Sequence, residues 1–455
     1  MSKSSFSWSI QLKQLIKWAR SLLVYRAILD EEASQAFLAL LKVMGQLESE
    51  AGSPVSTESS RSEGDLLNAY GAWFAAIAPS PSWQAWIEQR ILAADNPLTQ
   101  ALQRTELDAV SPTLMAAAQH DLRILQQWAT EGITVIQAAL AEQASLNLPL
   151  PLEAGRQILS SPQRSNREPS LVGFDFSPFA EWSAALPDLA IHYRQRGVGL
   201  FSRYLALRWR GNTLEGIEHP ESIQMADLIG YEAQRTTLQM NTEALLAGHA
   251  ALNILLYGSR GSGKSALVKS LLTEYGDRGL RLIELSKADM IHLPQVVESL
   301  RHSSLKFVIF VDDLSFEEDE ENYKALKVVL EGTLAARPQN VVVYATSNRR
   351  HLIREFFGDR PSMSEADEVH SWDTVQEKLS LSDRFGLTLT FEPANQDTYL
   401  QIVRGYAQRF AIKVSDEDLT YQALQWAVRH NVRSGRTARQ FIDHLRAQLA
   451  LEACS

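Results

Sequence analysis

Residues 253–267 of the chain read Asn253-Ile-Leu-Leu-Tyr-Gly-Ser-Arg-Gly-Ser-Gly-Lys-Ser-Ala-Leu267. Within them, Gly258, Gly263, Lys264 and Ser265 satisfy the G-x-x-x-x-G-K-[ST] spacing of a phosphate-binding loop. Glycines let backbone N–H groups turn toward phosphate oxygens, the lysine adds a full positive charge, and the serine hydroxyl can ligate Mg²⁺. The spacing therefore predicts a nucleoside triphosphate site. Its candidate residues are Gly258, Ser259, Arg260, Gly261, Ser262, Gly263, Lys264, Ser265 and Ala266.

The residues on either side of this loop support the prediction. Ile254 to Tyr257 form an apolar run with strand character, and Ala266 to Tyr275 favour a helix. A helix that begins directly after the loop contributes partial positive charge at its N-terminus. A chance glycine-rich turn that carries Lys-Ser is the alternative, and it does not account for the strand and the helix around it.

Length and composition limit the possible architectures. The chain has 455 residues, 45% of them hydrophobic and 22% charged, which indicates two or three globular domains. A net charge of −10 argues against broad, non-specific nucleic-acid binding. The one cysteine, Cys454, excludes a disulfide framework. Because we find neither an apolar run of ~18 residues nor a secretory signal, we expect a cytoplasmic protein without a membrane span.

Residues 1–145 are predicted to form a mostly α-helical N-terminal domain. Apolar residues recur at helical spacing from Gln11 to Leu29, so this helix either packs on its neighbours or lies on an anionic membrane. The tryptophans of this half either fill the core of a helical bundle or form a surface for a macromolecular partner. Residues 146–222 are predicted to be a linker rich in Pro and Ser, followed by connecting helices that run from Pro187 to Arg210.

Residues 223–393 alternate strands with helices, as in an α/β domain whose parallel sheet is flanked by helices. We predict five strands, at residues 252–257, 280–285, 306–313, 341–348 and 387–391. Residues 394–455 are predicted to form a C-terminal helical lid with helices at 396–410, 416–430 and 436–450.

Polar side chains end the third and fourth predicted strands. Asp312 is placed to hold Mg²⁺ opposite Ser265, since ligands of α/β domains bind at the carboxyl ends of the strands. Either Asp313 or Glu317 could orient an attacking water as a base, and Asn348 could hold that water by its side-chain amide. The alternatives are an acidic surface loop for Asp313 and a strand-terminating asparagine for Asn348.

Together these elements resemble the AAA+ ATPase superfamily, with Walker A at the phosphate-binding loop, Walker B at Phe307–Asp313 and a polar sensor at Asn348. Arg384 resembles the arginine finger of that superfamily, although it could instead pair locally with Asp383 or Glu377. Arg439, or Arg436, resembles the second sensor of the lid. Asp227–Gln234, with Ile229 and Gly230, resembles the segment that packs on adenine.

Three segments are more specifically similar to the uncharacterised ATP-binding family known as domain of unknown function 815. They are Asp312–Glu317, Ala345–Leu352 and Lys378–Gly386, within a similarity that covers about Ile223 to Phe410. The resemblance implies ATP and Mg²⁺ as ligands, and a homo-oligomer, ring or helical, with ATP at subunit interfaces.

Two features depart from the AAA+ pattern. Walker B ends in Asp312-Asp313 instead of Asp-Glu, which implies slow hydrolysis or a base role for Glu317. The region from Lys287 to Leu293 has no aromatic residue, which argues against threading of a protein substrate through a pore. Three hypotheses follow: an ATPase that remodels or loads an unknown macromolecular partner, an ATP-dependent switch or scaffold with little hydrolysis, and a DNA-associated ATPase similar to helicase loaders.

Overall fold

In the computed structural model of the protein, the first part of the chain, where apolar residues recur at helical spacing, forms helices. The second part forms strands that alternate with helices. The structure describes residues 5–50, 59–143, 148, 174–315, 321–331, 338–348 and 384–452. The chain divides into two units, Met1–Arg203 and Tyr204–Ser455. Over the described residues, no helix is both long and apolar enough to cross a membrane.

The first unit is helical. Its α-helices are α1 (Ser5–Arg20), α2 (Glu32–Glu50), α3 (Ser59–Ile77), α4 (Trp83–Leu92), α5 (Pro97–Arg104), α6 (Pro112–Gln143), α7 (Leu186–Arg196) and α8 (Leu200–Arg203). Helix α1 packs on α6 and α2 through Leu12, Leu15 and Ala19, which are buried. The apolar face of the first helix therefore packs on neighbouring helices, which is one of the two roles considered for it.

Tryptophans form the centre of this unit. Trp73, Trp83 and Trp128 have no exposed surface, and their rings surround Phe37. The indole N–H of Trp83 donates to the carbonyl oxygen of Trp128 at 2.9 Å, so a buried donor is satisfied. These tryptophans build the core of a helical bundle, one of the two roles that the sequence left open.

A buried carboxylate connects α6 to the end of α1. Asp121 is fully buried and accepts hydrogen bonds from the backbone N–H groups of Leu23, Val24 and Tyr25 at 2.7 to 3.1 Å. The chain turns at these residues, so their N–H groups have no helical partners. Burial raises the pKa of Asp121, while the three backbone donors lower it.

The second unit contains one sheet covered by helices and a helical subdomain at its C-terminus. The strands are β1 (Ala206–Arg210), β2 (Thr213–Gly216), β3 (Ile254–Gly258), β4 (Leu280–Glu284), β5 (Lys306–Val311), β6 (Val341–Ser347) and β7 (Leu387–Phe391). The helices are α9 (Glu232–Leu246), α10 (Lys264–Tyr275), α11 (Leu293–Leu300), α12 (Glu321–Glu331), α13 (Gln396–Arg409), α14 (Asp416–His430) and α15 (Gly435–Glu452).

The sheet has seven strands among the described residues, in the order β2-β1-β4-β5-β6-β3-β7. Every neighbouring pair is parallel except β1 and β2, which are antiparallel. Strand β3 lies between β6 and β7, and β6 lies between β3 and β5. The carboxyl ends of β3, β5 and β6 therefore meet at one edge of the sheet, where the polar residues predicted from the sequence are found.

The prediction of five strands was too low, and the prediction of a helix as far as Arg210 was wrong. Residues 206–210 form β1, which pairs with β4 in parallel and with β2 through a two-residue turn at Gly211-Asn212. Both turn residues have positive φ, 55° and 67°, the conformation that tight hairpins require. The sheet consequently begins before Ile223, where the predicted α/β domain starts.

Helices α13, α14 and α15 pack around a separate apolar cluster that contains Tyr399, Ala423 and Phe441. Their N-caps follow from the sequence, because Asn395 and Ser415 accept hydrogen bonds from backbone N–H groups three residues later. This three-helix subdomain occupies the region where the sequence predicts a lid.

Candidate functional site

The loop between β3 and α10 has a backbone that requires glycine. Gly258 has φ +148°, and a Cβ atom at that position would lie 2.0 Å from the carbonyl oxygen of Phe391. Gly261 has φ +78°, and a Cβ there would lie 2.8 Å from Ser434 Oγ. Gly263 is the N-cap residue of α10. The loop therefore passes close to β7 at Gly258 and to the start of α15 at Gly261, which leaves no room for a side chain at either glycine.

Lys264 turns back over this loop. Its ammonium donates to the carbonyl oxygens of Gly258 at 3.0 Å and Ser259 at 2.8 Å, and it lies 3.5 Å from Asn348 Oδ1. The residue is 6% exposed. Burial lowers the pKa of Lys264, and the nearby carboxylates of Asp312 and Asp313 oppose that effect.

Three oxygen-bearing side chains meet beside the lysine. Ser265 Oγ donates to Asp312 Oδ1 at 2.6 Å, and Thr346 Oγ1 donates to the same oxygen at 2.5 Å. Thr346 Oγ1 also accepts the backbone N–H of Asp313 at 2.9 Å. A hydroxyl and a carboxylate held this close can ligate one small divalent cation, since Mg²⁺ prefers oxygen ligands.

Asp313 and Asn348 contact each other across the ends of β5 and β6. Asn348 Nδ2 donates to Asp313 Oδ1 at 2.6 Å. Asp313 has φ +52°, an uncommon conformation for a residue other than glycine, and its hydrogen bonds with Thr346 and Asn348 hold it there. The Asp313 carboxylate and the Asn348 amide, which the sequence predicts to orient and hold an attacking water, are therefore hydrogen-bonded to each other.

A cleft of about 660 Å³ extends from this polar corner to an apolar end. Ile229, Gly230, Tyr231, Phe391 and Tyr406 line the apolar end. Ile229 packs so closely on α13 that a Cβ at Gly405 would lie 1.8 Å from its Cδ1 atom. The predicted adenine segment and the helical subdomain therefore line one cleft together with the phosphate-binding loop.

The two candidate lid arginines, Arg436 and Arg439, both line the cleft. The guanidinium of Arg439 bonds to Asp443 at 2.9 Å and lies 4.8 Å from the centre of the Phe410 ring. The backbone N–H of Arg436 donates to the carbonyl oxygen of Gly261 at 3.3 Å. Arg436 therefore lies directly beside the phosphate-binding loop, whereas the head group of Arg439 is occupied within its own subdomain.

Arg384 does not line this cleft. Its guanidinium forms an ion pair with Glu331 of α12 at 2.8 Å, which is a local partner other than the two that the sequence suggested. Asp383 and Glu377 lie outside the described residues, as does Glu317, the alternative base.

Most of the predicted binding residues come together. Arg260 through Ala266 line the cleft with Asp312, Asp313 and Asn348, while Gly258 and Ser259 contribute the carbonyl oxygens that hold Lys264. Thr346 was not predicted. The polar run Thr-Ser-Asn at the end of β6 is the signal that could have identified it. The donor set and the glycine cradle fit a polyphosphate with a divalent cation.

The second unit is an α/β domain with a mostly parallel sheet, and its glycine-rich loop after β3 carries the sequence pattern predicted to bind phosphate. Residues 202–449, more than half of the chain, match the family described as "Protein of unknown function (DUF815)", and the chain belongs to that family. No curated protein matches the chain.

Many solved structures match the chain, among them the following two, which each match about half of it. The Thermotoga maritima RuvB Holliday junction branch migration motor is 13% identical, with a TM-score of 0.30, over 48% of this chain and 71% of its own. A DNA replication initiation factor is 20% identical, with a TM-score of 0.31, over 49% of this chain and 64% of its own. Similarities of this size carry no conclusion about function.

Proposed function

We propose that the second unit binds ATP with Mg²⁺ in the cleft and acts as an ATPase of the AAA+ type. One observation carries this proposal: Lys264, the Ser265–Asp312 pair and Asn348 converge at one edge of the sheet from different elements. A polyphosphate needs positive charge and oxygen ligands for its metal in one place, and Lys264, Ser265 and Asp312 supply them beside a glycine-rich loop at the start of a helix.

Each side chain has a distinct task in this proposal. Lys264 exchanges its carbonyl contacts at Gly258 and Ser259 for oxygens of the β- and γ-phosphates, which restores charge compensation to a buried ammonium. Ser265 and Asp312 hold Mg²⁺, which neutralises phosphate charge when bound. The apolar end, with Ile229 and Tyr231, receives the base.

Calorimetric titration of ATP with Mg²⁺ tests the binding step. Lys264→Ala should weaken the affinity at least about tenfold, because a charge-assisted hydrogen-bond donor is lost from a buried position. Lys413→Ala is the matched control, since this lysine is exposed in the same unit and lies away from the cleft. Equal affinities for the two variants would remove Lys264 from the site.

Hydrolysis is assigned to Asp313 as the residue that orients water, with Asn348 holding its carboxylate at 2.6 Å. The same contact favours a second candidate function, a nucleotide-dependent switch with little hydrolysis, because Asp313 is short and already bonded. Steady-state phosphate release separates the two. If the protein is an ATPase, the Asp313→Asn variant should lose turnover and still bind ATP. If it is a switch, turnover should be near zero in both the unsubstituted chain and the Asp313→Asn variant.

The proposal includes a homo-oligomer in which Arg384 reaches the nucleotide of a neighbouring subunit. Within one chain, Arg384 pairs with Glu331 and is 21% exposed at its side chain. Turnover per subunit should rise with protein concentration and collapse in Arg384→Ala, because a planar guanidinium stabilises phosphoryl charge. A rate per subunit that stays constant over concentration would refute assembly-dependent hydrolysis.

The first unit is proposed to hold the macromolecular partner that ATP turnover remodels or loads. The partner can be sought by co-purification on Asp313→Asn, in which the ATP-bound form should persist. Turnover stimulated by DNA, with a steep salt dependence, would identify the partner as nucleic acid. A turnover rate that is unchanged by added DNA would favour a protein partner.

A further inference from the structure

The side of α1 that points away from its neighbouring helices is basic. Lys13, Lys17 and Arg20 are exposed, and their spacing of four and three residues places them within about 60° of the helix circumference. Leu12 and Leu15, on the opposite side, are buried against α2 and α6. We call Lys13, Lys17 and Arg20 the basic face of α1. The helix therefore packs with one side and presents three cations on the other.

The charge of this region opposes that of the whole chain. The first 29 residues contain five Lys or Arg and no Asp or Glu, whereas the chain as a whole has a net charge of −10. In the part of the chain that the structure describes, no ion pair or side-chain hydrogen bond involves the basic face. Arg123, Arg194 and Arg203 of the same unit each pair with a glutamate. The positive potential along α1 is therefore not compensated by these described neighbours.

An exposed aliphatic side chain extends the basic face at its N-terminal end. Ile10 precedes Lys13 by three residues, so it lies on the same side of the helix, and it is 61% exposed. Leu23, three residues after the helix ends, is 63% exposed. Helices that rest on a bilayer surface combine Lys or Arg with large aliphatic side chains that enter the boundary between head groups and acyl chains. The outward side of α1 offers both kinds of contact over about 15 Å.

The composition of this face favours lipid over nucleic acid or protein. Between Ile10 and Arg20 the one aromatic residue is Trp18, and it packs against the core of the helical unit. The face therefore has no ring on which an unpaired base could stack. Lysine is depleted in interfaces between proteins, where immobilising its long side chain costs entropy. Mobile lipid head groups impose no fixed register on flexible cations, and the methylene stems of Lys13 and Lys17 can lie along the acyl boundary.

We propose that the basic face of α1 binds the surface of an anionic lipid bilayer, with Ile10 inserted at the head-group boundary. The three cations contact phosphate and carboxylate groups of the lipids, while the opposite side of the helix stays packed in the unit. Each Lys or Arg near an anionic bilayer contributes roughly fivefold to the affinity. The three together are expected to account for about a hundredfold.

Co-sedimentation of the full chain with lipid vesicles tests the proposal, and it needs no nucleotide. Vesicles of phosphatidylserine and phosphatidylcholine in equal parts should bind the chain, whereas vesicles of phosphatidylcholine alone should not. Replacing all three cations, by Lys13→Gln, Lys17→Gln and Arg20→Gln, should weaken the affinity for the anionic vesicles about a hundredfold. Ile10→Ser should weaken it about fivefold, because the apolar insertion is lost. Added salt should reduce the effect of the three cations and leave that of Ile10→Ser unchanged.

A charge-matched control separates the basic face from the net charge of the chain. Lys413→Gln, Arg429→Gln and Arg433→Gln remove three exposed cations from the second unit and should leave vesicle binding unchanged. All the substituted side chains are exposed, so urea unfolding should be the same for every variant. No binding to anionic vesicles, equal binding with and without phosphatidylserine, or equal losses in the two triple variants would overturn the proposal. Loss of DNA binding in place of vesicle binding in the first triple variant would also overturn it, in favour of a nucleic-acid surface.

Discussion

Protonation of His192 should destabilise the first unit as the pH falls. The ring lies on α7, is 7% exposed, and packs edge-on against Phe174 with 5.8 Å between ring centres. Its Nε2 has no hydrogen-bond partner among the described residues. Burial, with a contribution from Arg196, lowers the pKa of His192 from 6.5 to about 4.

The sign and size of the effect follow from this shift. Between pH 6.5 and about 4, the unfolded state binds a proton at His192 and the folded state does not. The free energy of unfolding therefore decreases as the pH falls through this window. Linkage with these two pKa values gives a loss of about 2 kcal/mol between roughly pH 7 and pH 5.

Urea unfolding at these two pH values, followed by tryptophan fluorescence, measures the effect. Seven of the ten tryptophans precede residue 204, so the signal reports mainly on the first unit. His192→Phe should reduce the pH-dependent loss by about 2 kcal/mol relative to the unsubstituted chain. His120→Phe, at an exposed position of α6, should leave it unchanged. The same pH dependence with and without His192 would refute the reasoning.

Three further substitutions, the first with a matched control, have defined outcomes. Asp121→Ala should lower the free energy of unfolding by about 3 kcal/mol, measured by urea titration, because the backbone N–H groups of Leu23, Val24 and the buried Tyr25 lose a charged acceptor. Asp188→Ala, at an exposed position, should cost little. Gly258→Ala should abolish ATP binding in calorimetry, since its Cβ would meet a backbone oxygen at 2.0 Å. Thr346→Val should leave ATP binding within about twofold and reduce turnover about tenfold, as the loss of one to two hydrogen bonds implies.

The central part of the sheet was predictable because its strands are buried on both faces. Such strands read as continuous apolar runs, and β5 and β6 were located within two residues of their observed ends. Strand β1 has a different character. Its sequence, Ala-Leu-Arg-Trp-Arg, places arginines on exposed positions, so it lacks the uninterrupted run by which the others were found. The turn at Gly211-Asn212 was the available signal.

The phosphate-binding loop was predictable because its chemistry is local in sequence. Thr346 was not, because its role depends on the pairing of β5 with β6, which places it beside Asp312. The partner of Arg384 was also beyond sequence reasoning. Glu331 comes from a helix that precedes β6, and nothing in the residues around Arg384 indicates that α12 packs there.

The helical subdomain contacts the predicted nucleotide site at two points, which lie at opposite ends of the cleft. At one end, Arg436 bonds to the carbonyl oxygen of Gly261 in the phosphate-binding loop. At the other end, Ile229 of the predicted adenine segment packs against Gly405, where a side chain would clash with it. Arg409 forms an ion pair with Asp227 of the same segment. A ligand that spans the cleft must touch both ends. Its binding free energy therefore depends on where the subdomain lies, and any difference in affinity between two positions of the subdomain would shift their populations. Under the proposed function, these contacts would link nucleotide binding thermodynamically to the position of the three helices.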